Sequence, residues 1–242
     1  FLYAYNIDYA SARLWIHSGG FARARGSFLK LYERDVLNKN KSEYLTEKQL
    51  EDGGPLLVDI DLKYNKDIKD RQHTKEHIFD LIETYLCHLS NAYQMEDNKD
   101  WNVYVMEKQK VNPIEDKEYN DSVIEGYTKD GIHIIFGINV DKTTQILIRK
   151  KIINDIAEQW TDLPIKNTWD DVFDDSITSR KSPWQLYGSK KPRHDTYKMK
   201  YTYKISYDSS DGECSITLIE DYKPNILDLS VRNKNNPEFR MK

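Results

Sequence analysis

The chain has 242 residues, of which 38% are hydrophobic and 31% charged, so it is long enough to bury a core and too apolar to be disordered. Its two cysteines, Cys87 and Cys214, exclude a disulfide framework and a multi-cysteine zinc module. The sequence contains neither a bilayer-spanning apolar stretch nor a secretory signal at its N-terminus. We therefore expect an intracellular protein with no membrane partner.

The net charge of -4 hides a basic segment. Residues 178–204 hold eight of the 36 basic residues and one of the 40 acidic residues. Aromatic residues lie between the basic ones, namely Trp184, Tyr187, Tyr197, Tyr201 and Tyr203. This composition is typical of a surface that binds phosphates and stacks bases, although a solvated run of charge without a function has the same composition.

Hydrophobic periodicity predicts helices and strands that follow one another in a single α+β domain. The predicted elements, in chain order, are a helix over 26–38, a strand over Leu56–Leu62, a helix around Ile78–Leu89, a strand over Trp101–Met106, strands over Ser122–Thr128 and Ile132–Ile138, a helix from about Thr144 to Trp160, and strands over Trp184–Tyr187, Tyr201–Tyr207 and Ser215–Ile219. The tripeptide Lys129-Asp130-Gly131 favours a hairpin turn. We expect a mixed, largely antiparallel sheet with helices on one side.

Alternation along Leu56–Leu62 places Asp59 and Asp61 together on the face opposite the apolar residues. Residues two apart on a strand have Cα atoms ~6.5 to 7 Å apart, and carboxylates so placed can jointly hold two divalent cations. Two like charges on a strand are costly unless a positive group lies between them. The pattern therefore favours a metal site over a half-exposed strand that carries Asp twice.

A histidine and a third acidic site follow. His133 lies opposite the apolar side chains of its strand, and Gly131 and Gly137 leave room there for a ligand. His133 can contact a phosphate, although a lone histidine is more often structural. Farther along, Asp174 or Asp175 precedes the basic segment, and two-metal phosphoryl transfer needs about three acidic ligands together with cations for the phosphates.

His73 and His77 are spaced i, i+4, with Cys87 and His88 farther along the same predicted helix. No Glu stands beside the first histidine, so the metalloprotease pattern is absent. We interpret these residues as part of a solvent-facing helix in which Cys87 is buried.

The order of Asp59-Ile60-Asp61, Gly131-Ile132-His133, Phe173-Asp174 and residues 186–191 resembles the motifs of the archaeo-eukaryotic primase (AEP) superfamily. In particular it is similar to the N-terminal primase domain of the primase-helicases of nucleocytoplasmic large DNA viruses, of the poxvirus and African swine fever virus type. The resemblance covers at least 56–203. It implies the AEP fold, an RRM-like sheet with flanking helices and an N-terminal α/β part. The single domain would then span 1–242, with a core at about 56–207 and an extension at 208–242 toward a helicase region.

The resemblance also implies a DNA primase/polymerase that acts on a single-stranded DNA template with NTP or dNTP, in viral replication in the host cytoplasm. Asp59, Asp61 and Asp174 would bind two Mg²⁺ or Mn²⁺ ions. The residues implied in nucleotide binding are His133, Ser189, Lys190, Lys191 and Arg180. Gln185 stands where relatives often have Arg, and Arg180 is the candidate substitute. A carboxylate-metal nuclease and a non-catalytic single-stranded DNA-binding module remain open alternatives.

Overall fold

The computed structural model describes residues 2–4, 28–119, 122–223 and 225–242. The strands are β1 (Leu2–Ala4), β2 (Leu45–Glu47), β3 (Gly54–Asn65), β4 (Tyr93–Gln94), β5 (Trp101–Lys108), β6 (Asn112–Ile114), β7 (Lys117–Tyr119), β8 (Ser122–Ile124), β9 (Tyr127–Val140), β10 (Trp184–Gln185), β11 (Tyr197–Asp208), β12 (Glu213–Leu218) and β13 (Arg240–Met241). The helices are α1 (Lys75–Ala92), α2 (Lys142–Gln159), α3 (Trp169–Val172) and α4 (Asp175–Thr178), preceded by a helical segment over 28–37 that ends as the π-helix Glu33–Leu37. The predicted α+β class is confirmed.

A six-stranded antiparallel sheet forms the centre of the fold. Its strand order is β12-β11-β5-β9-β3, and β6 pairs with β9 beside this path. Apolar side chains of β3, β5 and β9 pack with the buried faces of α1 and α2 in one core. On the opposite face a second, smaller core includes Leu57, Ile135 and Trp184. The predicted largely antiparallel sheet is confirmed, with both long helices on one side.

The predicted hairpin at Lys129-Asp130-Gly131 is wrong. These residues lie inside the single strand β9, whose register with β3 runs from Gly54↔Val140 to Asn65↔Tyr127. The Asp130 side chain is buried and accepts hydrogen bonds from Arg71 Nε and Nη2 at 2.9 Å. A charge that suggested a surface turn is therefore satisfied within the fold, and β8 pairs with β7 instead.

Other differences are local. The predicted strand over Trp184–Tyr187 contracts to β10, which joins β1 and β2 in a separate small sheet. His73 precedes α1 and is buried, whereas Cys87 is exposed, so the expected solvent-facing helix with a buried cysteine is wrong. Positions 26 and 27 of the first predicted helix lie outside the described residues. No helix in the described ranges combines the length and apolar character that a bilayer crossing requires.

Candidate functional site

Strand β3 presents two carboxylates on the face away from the long helices. Asp59 lies opposite His133 on β9, and Asp61 lies opposite Gly131. Asp59 Oδ1 is buried and accepts no hydrogen bond from any described residue. Asp61 Oδ2 accepts a hydrogen bond from Lys129 Nζ at 2.6 Å. The expected pairing of the two carboxylates is thus present, and Lys129, which sequence reasoning missed, supplies a positive charge beside them.

His133 is on the carboxylate side of the sheet and not in the helix-side core. Its Nε2 lies 3.4 Å from Asp59 Oδ1. Its ring stacks on Tyr197 at a centroid distance of 3.6 Å and lies 4.3 Å from the ring of Trp184. These two rings bury His133 and orient it towards Asp59, so the residue can position that carboxylate.

The space that the glycines were expected to leave for a ligand is filled by the protein itself. A Cβ at Gly131 would lie 2.5 Å from the hydroxyl oxygen of Tyr197. A Cβ at Gly137 would lie 2.9 Å from the carbonyl oxygen of Asn102. The expectation is therefore wrong, because Gly131 admits the Tyr197 side chain and Gly137 admits the backbone of β5.

Backbone hydrogen bonds place Asp174, the third acidic residue, beside Asp59. Phe173 forms an isolated antiparallel bridge with Ile60, and the Asp174 amide donates to the Asp59 carbonyl at 3.0 Å. Residues that lie opposite one another in an antiparallel pair share a face, so Asp174 belongs on the face of Asp59. Arg149 of α2 holds this segment, because its Nε and Nη2 donate to the Phe173 carbonyl at 2.9 and 2.5 Å.

The carboxylate of Asp174 is engaged locally. It caps α4 by accepting hydrogen bonds from Ser176 N at 2.8 Å and Ser176 Oγ at 3.0 Å. The alternative residue, Asp175, pairs with Lys181 at 3.4 Å. Across the residues that the structure describes, no three His, Cys, Asp or Glu side chains are already grouped to hold a metal ion. The structure thus brings Asp174 next to Asp59 without completing a three-ligand arrangement.

The predicted nucleotide-binding residues separate into different places. Lys191 is close enough to Asp59 to help lower the pKa of that carboxyl. Lys190 lines a groove whose walls do not include the carboxylates. The Ser189 hydroxyl is buried, within hydrogen-bond distance of Tyr32 Oη at 2.7 Å, and accepts from the Leu45 amide at 3.1 Å. The structure thus gives Ser189 contacts within the protein, and its contact with a nucleotide stays a prediction.

Arg180 is also not part of the carboxylate cluster. Its guanidinium donates to the carbonyls of Glu51 at 2.7 Å and Val140 at 3.0 Å, and Val140 is the last residue of β9. His133 lies seven positions earlier on the same strand, which places the Arg180 guanidinium about 20 Å from His133 at the usual rise. Gln185 donates to the Ser189 carbonyl at 2.5 Å and so stabilises the loop.

Burial and charge act in opposite ways on the two carboxyls. Burial opposes ionisation of Asp59, but His133, Lys129 and Lys191 outweigh it and lower the pKa of Asp59. Burial and the neighbouring charge of Asp59 raise the pKa of Asp61, although Lys129 opposes this. The half-buried pair therefore depends on nearby cations to remain charged.

A cluster of basic residues surrounds the pair. Burial and the like charges of Lys129 and Lys191 lower the pKa of Lys108, which also lies 5.2 Å from the ring of Tyr197. Burial and the charges of Lys108, Lys191 and Lys129 lower the pKa of His194. This concentration of positive charge favours an anion. Lys129 is two residues before Gly131 on β9, so alternation alone indicates that it shares the face of His133. The position of Lys108 becomes evident only from the pairing of β5 with its neighbouring strands.

The expected base-stacking surface is not formed by all five aromatic residues. Trp184, Tyr197 and Tyr203 are buried, so their faces cannot receive bases. Tyr187 and Tyr201 are half-buried. The basic segment thus uses three of its aromatic residues for the core.

The family model described as "C962R protein N-terminal AEP domain" matches residues 22–203. No curated protein gives a significant match. The matched range contains the three acidic residues, His133, and the loop that carries Lys190 and Lys191. Strand β12 and the residues after it lie outside the match.

Proposed function

The chain belongs to the family of the C962R protein N-terminal AEP domain, a primase/polymerase-type family that interacts with nucleotides and nucleic acid; we propose that it is a DNA primase/polymerase domain. In this proposal it transfers a nucleoside monophosphate from NTP or dNTP to the 3′-hydroxyl of a strand copied from a single-stranded DNA template, and pyrophosphate leaves. One observation carries it: the carboxylates of Asp59 and Asp61 share a face among Lys108, Lys129 and Lys191, with the buried Asp59 Oδ1 3.4 Å from His133 Nε2.

The proposed cofactors are two Mg²⁺ or Mn²⁺ ions. Asp59 and Asp61 fit such ions, because carboxylate oxygens are the preferred ligands and the buried Asp59 Oδ1 has only a long contact, 3.4 Å, with His133 Nε2 among the described groups. Asp174 is the proposed third ligand, since the bridge between Phe173 and Ile60 holds it beside Asp59. When bound, such ions lower the pKa of an attacking hydroxyl and neutralise the charge of the leaving group.

The lysines are proposed to hold the triphosphate. Lys108, Lys129 and Lys191 repel one another, and an anionic ligand relieves that repulsion. Because the charges are fixed before the substrate arrives, they stabilise developing negative charge at little reorganisation cost. Lys129 also keeps Asp61 paired. His133 positions the Asp59 carboxylate, and a direct contact with the nucleotide stays a prediction.

A template-directed incorporation assay with Mg²⁺ or Mn²⁺, with and without a primer, tests the proposal. The double variant Asp59→Asn/Asp61→Asn keeps side-chain size and removes both charges, so incorporation should fall by at least about 100-fold, as expected when transition-state stabilisation is lost. His133→Ala should reduce incorporation as well. Asp67→Asn, an exposed residue that follows β3, is the matched control and should retain activity.

Thermal unfolding of each variant separates lost chemistry from lost folding. Full incorporation by a folded double Asp variant would refute the proposal. Degradation of labelled DNA by the metal-loaded protein without nucleotides would support a nuclease instead. Template binding without incorporation in the wild type would support a binding module. The helicase region in the same polypeptide and replication in the host cytoplasm remain predictions.

A further inference from the structure

A basic groove lies between the helical segment 28–37 and the loop that carries Lys190. It encloses about 580 Å³. The charged residues in its lining are Glu33, Lys41, Lys190, Lys198 and Lys223. Four lysines against one glutamate give the groove a strong positive charge, which attracts anions.

Most of this charge is free. Lys190, Lys198 and Lys223 form no ion pair with any residue in the described part of the chain. Lys41 lies 4.0 Å from Asp35, but Asp35 already pairs with Arg34 at 2.8 Å. The groove is therefore not a closed network of salt bridges, and its lysines can take phosphate oxygens as partners.

The groove and the carboxylate site share their walls. Lys190 lines the groove, whereas the next residue, Lys191, acts on Asp59. On β11, Lys198 lines the groove, whereas Tyr197 stacks on His133. The two sites are therefore one residue apart along both segments, which is close enough for an extended anion to contact both.

The lining selects a phosphate backbone and not bases. Tyr187 is the aromatic residue of the lining; it is half-buried, and its hydroxyl accepts from the Met199 amide at 3.2 Å. The other polar lining residues, Asn38, Asn40, Ser42 and Thr196, suit hydrogen bonds to phosphate oxygens. Such contacts carry no sequence information.

We propose that this groove binds the phosphodiester backbone of the single-stranded DNA engaged at the carboxylate site. The inference rests on the proposed function. The proposed contacts are charge pairs between phosphate oxygens and the side chains of Lys190, Lys198 and Lys223, and they do not depend on the DNA sequence.

Fluorescence anisotropy with a labelled single-stranded oligonucleotide, over a series of salt concentrations, tests the proposal on the full chain. The variant is Lys198→Gln/Lys223→Gln, and the matched control is Lys150→Gln/Lys151→Gln on the exposed side of α2. Each single-strand phosphate contact contributes a slope of about -0.7 to log K against log salt. The groove variant should therefore flatten the slope by about 1.4 and bind about 25-fold more weakly at about 0.1 M salt.

Lys190→Gln alone should flatten the slope by about 0.7. The proposal is overturned if the groove variant binds like the control, or if affinity falls while the slope is unchanged. It is also overturned if DNA affinity is kept and only the KM for nucleotide rises, which would assign the groove to the triphosphate. Binding is measured without nucleotides, so a chain that binds DNA through the groove and incorporates nothing refutes only the proposed function.

Discussion

Four charged side chains form a buried network on the helix side of the sheet. His73 Nε2 lies 2.9 Å from Glu107 Oε1, and His73 Nδ1 lies 3.2 Å from Asp130 Oδ2. Arg71 pairs with both acids. Removing one partner of a buried pair costs about 3–5 kcal/mol, because the other charge stays buried. For His73→Ala we expect about 3 kcal/mol, the lower end of that range, since Arg71 still neutralises the acids.

The loss of unfolding free energy in His73→Ala should depend on pH. Burial alone would lower the pKa of His73, but its bonds to Asp130 and Glu107 outweigh burial and raise it. A raised pKa in the folded state stabilises the fold fully below the unfolded value of about 6.5, and this contribution disappears as pH rises through the folded pKa. The destabilisation by His73→Ala should therefore be larger at pH 6 than at pH 9.

Urea unfolding of the wild type, His73→Ala and His77→Ala at both pH values measures these differences. His77 is the matched control: its side chain is 12% exposed, against 1% for His73, and its partner Asp162 is 67% exposed. His77→Ala removes the side chain that accepts from the Thr74 amide at the start of α1 and packs against Trp160, so it should cost about 1 kcal/mol, less than His73→Ala. The reasoning is refuted if the two variants lose equal stability, or if the loss in His73→Ala is the same at pH 6 and pH 9.

Three further substitutions test the packing around the site. Gly131→Ala forces a methyl group against Tyr197 and should lower stability by about 1–3 kcal/mol in urea unfolding; an unchanged midpoint would contradict this close packing. Gly188 has a φ of +86°, so Gly188→Ala should cost about 1–2 kcal/mol for the backbone alone, and its new methyl group would also meet Leu37. Gly212 has a positive φ as well but no neighbour within 4 Å, so Gly212→Ala measures the backbone cost without that contact. Arg149→Met removes the donors to the Phe173 carbonyl and should reduce incorporation, whereas Asp170→Asn, whose side chain is 80% exposed, should not; equal activities would deny Arg149 a positioning role.

Much of the fold was predictable because its elements have strong local patterns. The helical spacing of Ile78, Leu81 and Ile82 predicted α1, and strict alternation in β3 predicted which face carries Asp59. The hairpin prediction is wrong because the Asp130 carboxylate accepts hydrogen bonds from Arg71, which is 59 residues away. No local pattern indicates such a partner, so the turn signal of Asp-Gly dominated the prediction.

The candidate site was predictable only where its residues lie in motifs on strands. Asp59 and His133 occupy opposite positions on paired strands, as their alternation allowed. Arg149 and Tyr197 reach the site from elements distant in sequence, so no short-range pattern indicates their role there. The hydrogen bonds of Ser189 and Arg180 within the protein were not predictable, because sequence order does not indicate whether a side chain faces the interior or a ligand.

Charge is distributed differently on the two faces of the sheet. On the helix face Arg71 and the protonated form of His73 balance two anions in a closed network. On the opposite face Asp59 and Asp61 meet three lysines, which leaves positive charge in excess. Divalent cations alone would increase this excess, and a polyphosphate alone would repel the carboxylates. The two ligands together would neutralise both sets of protein charges, which supports the proposal that this face binds metal ions and a nucleoside triphosphate jointly.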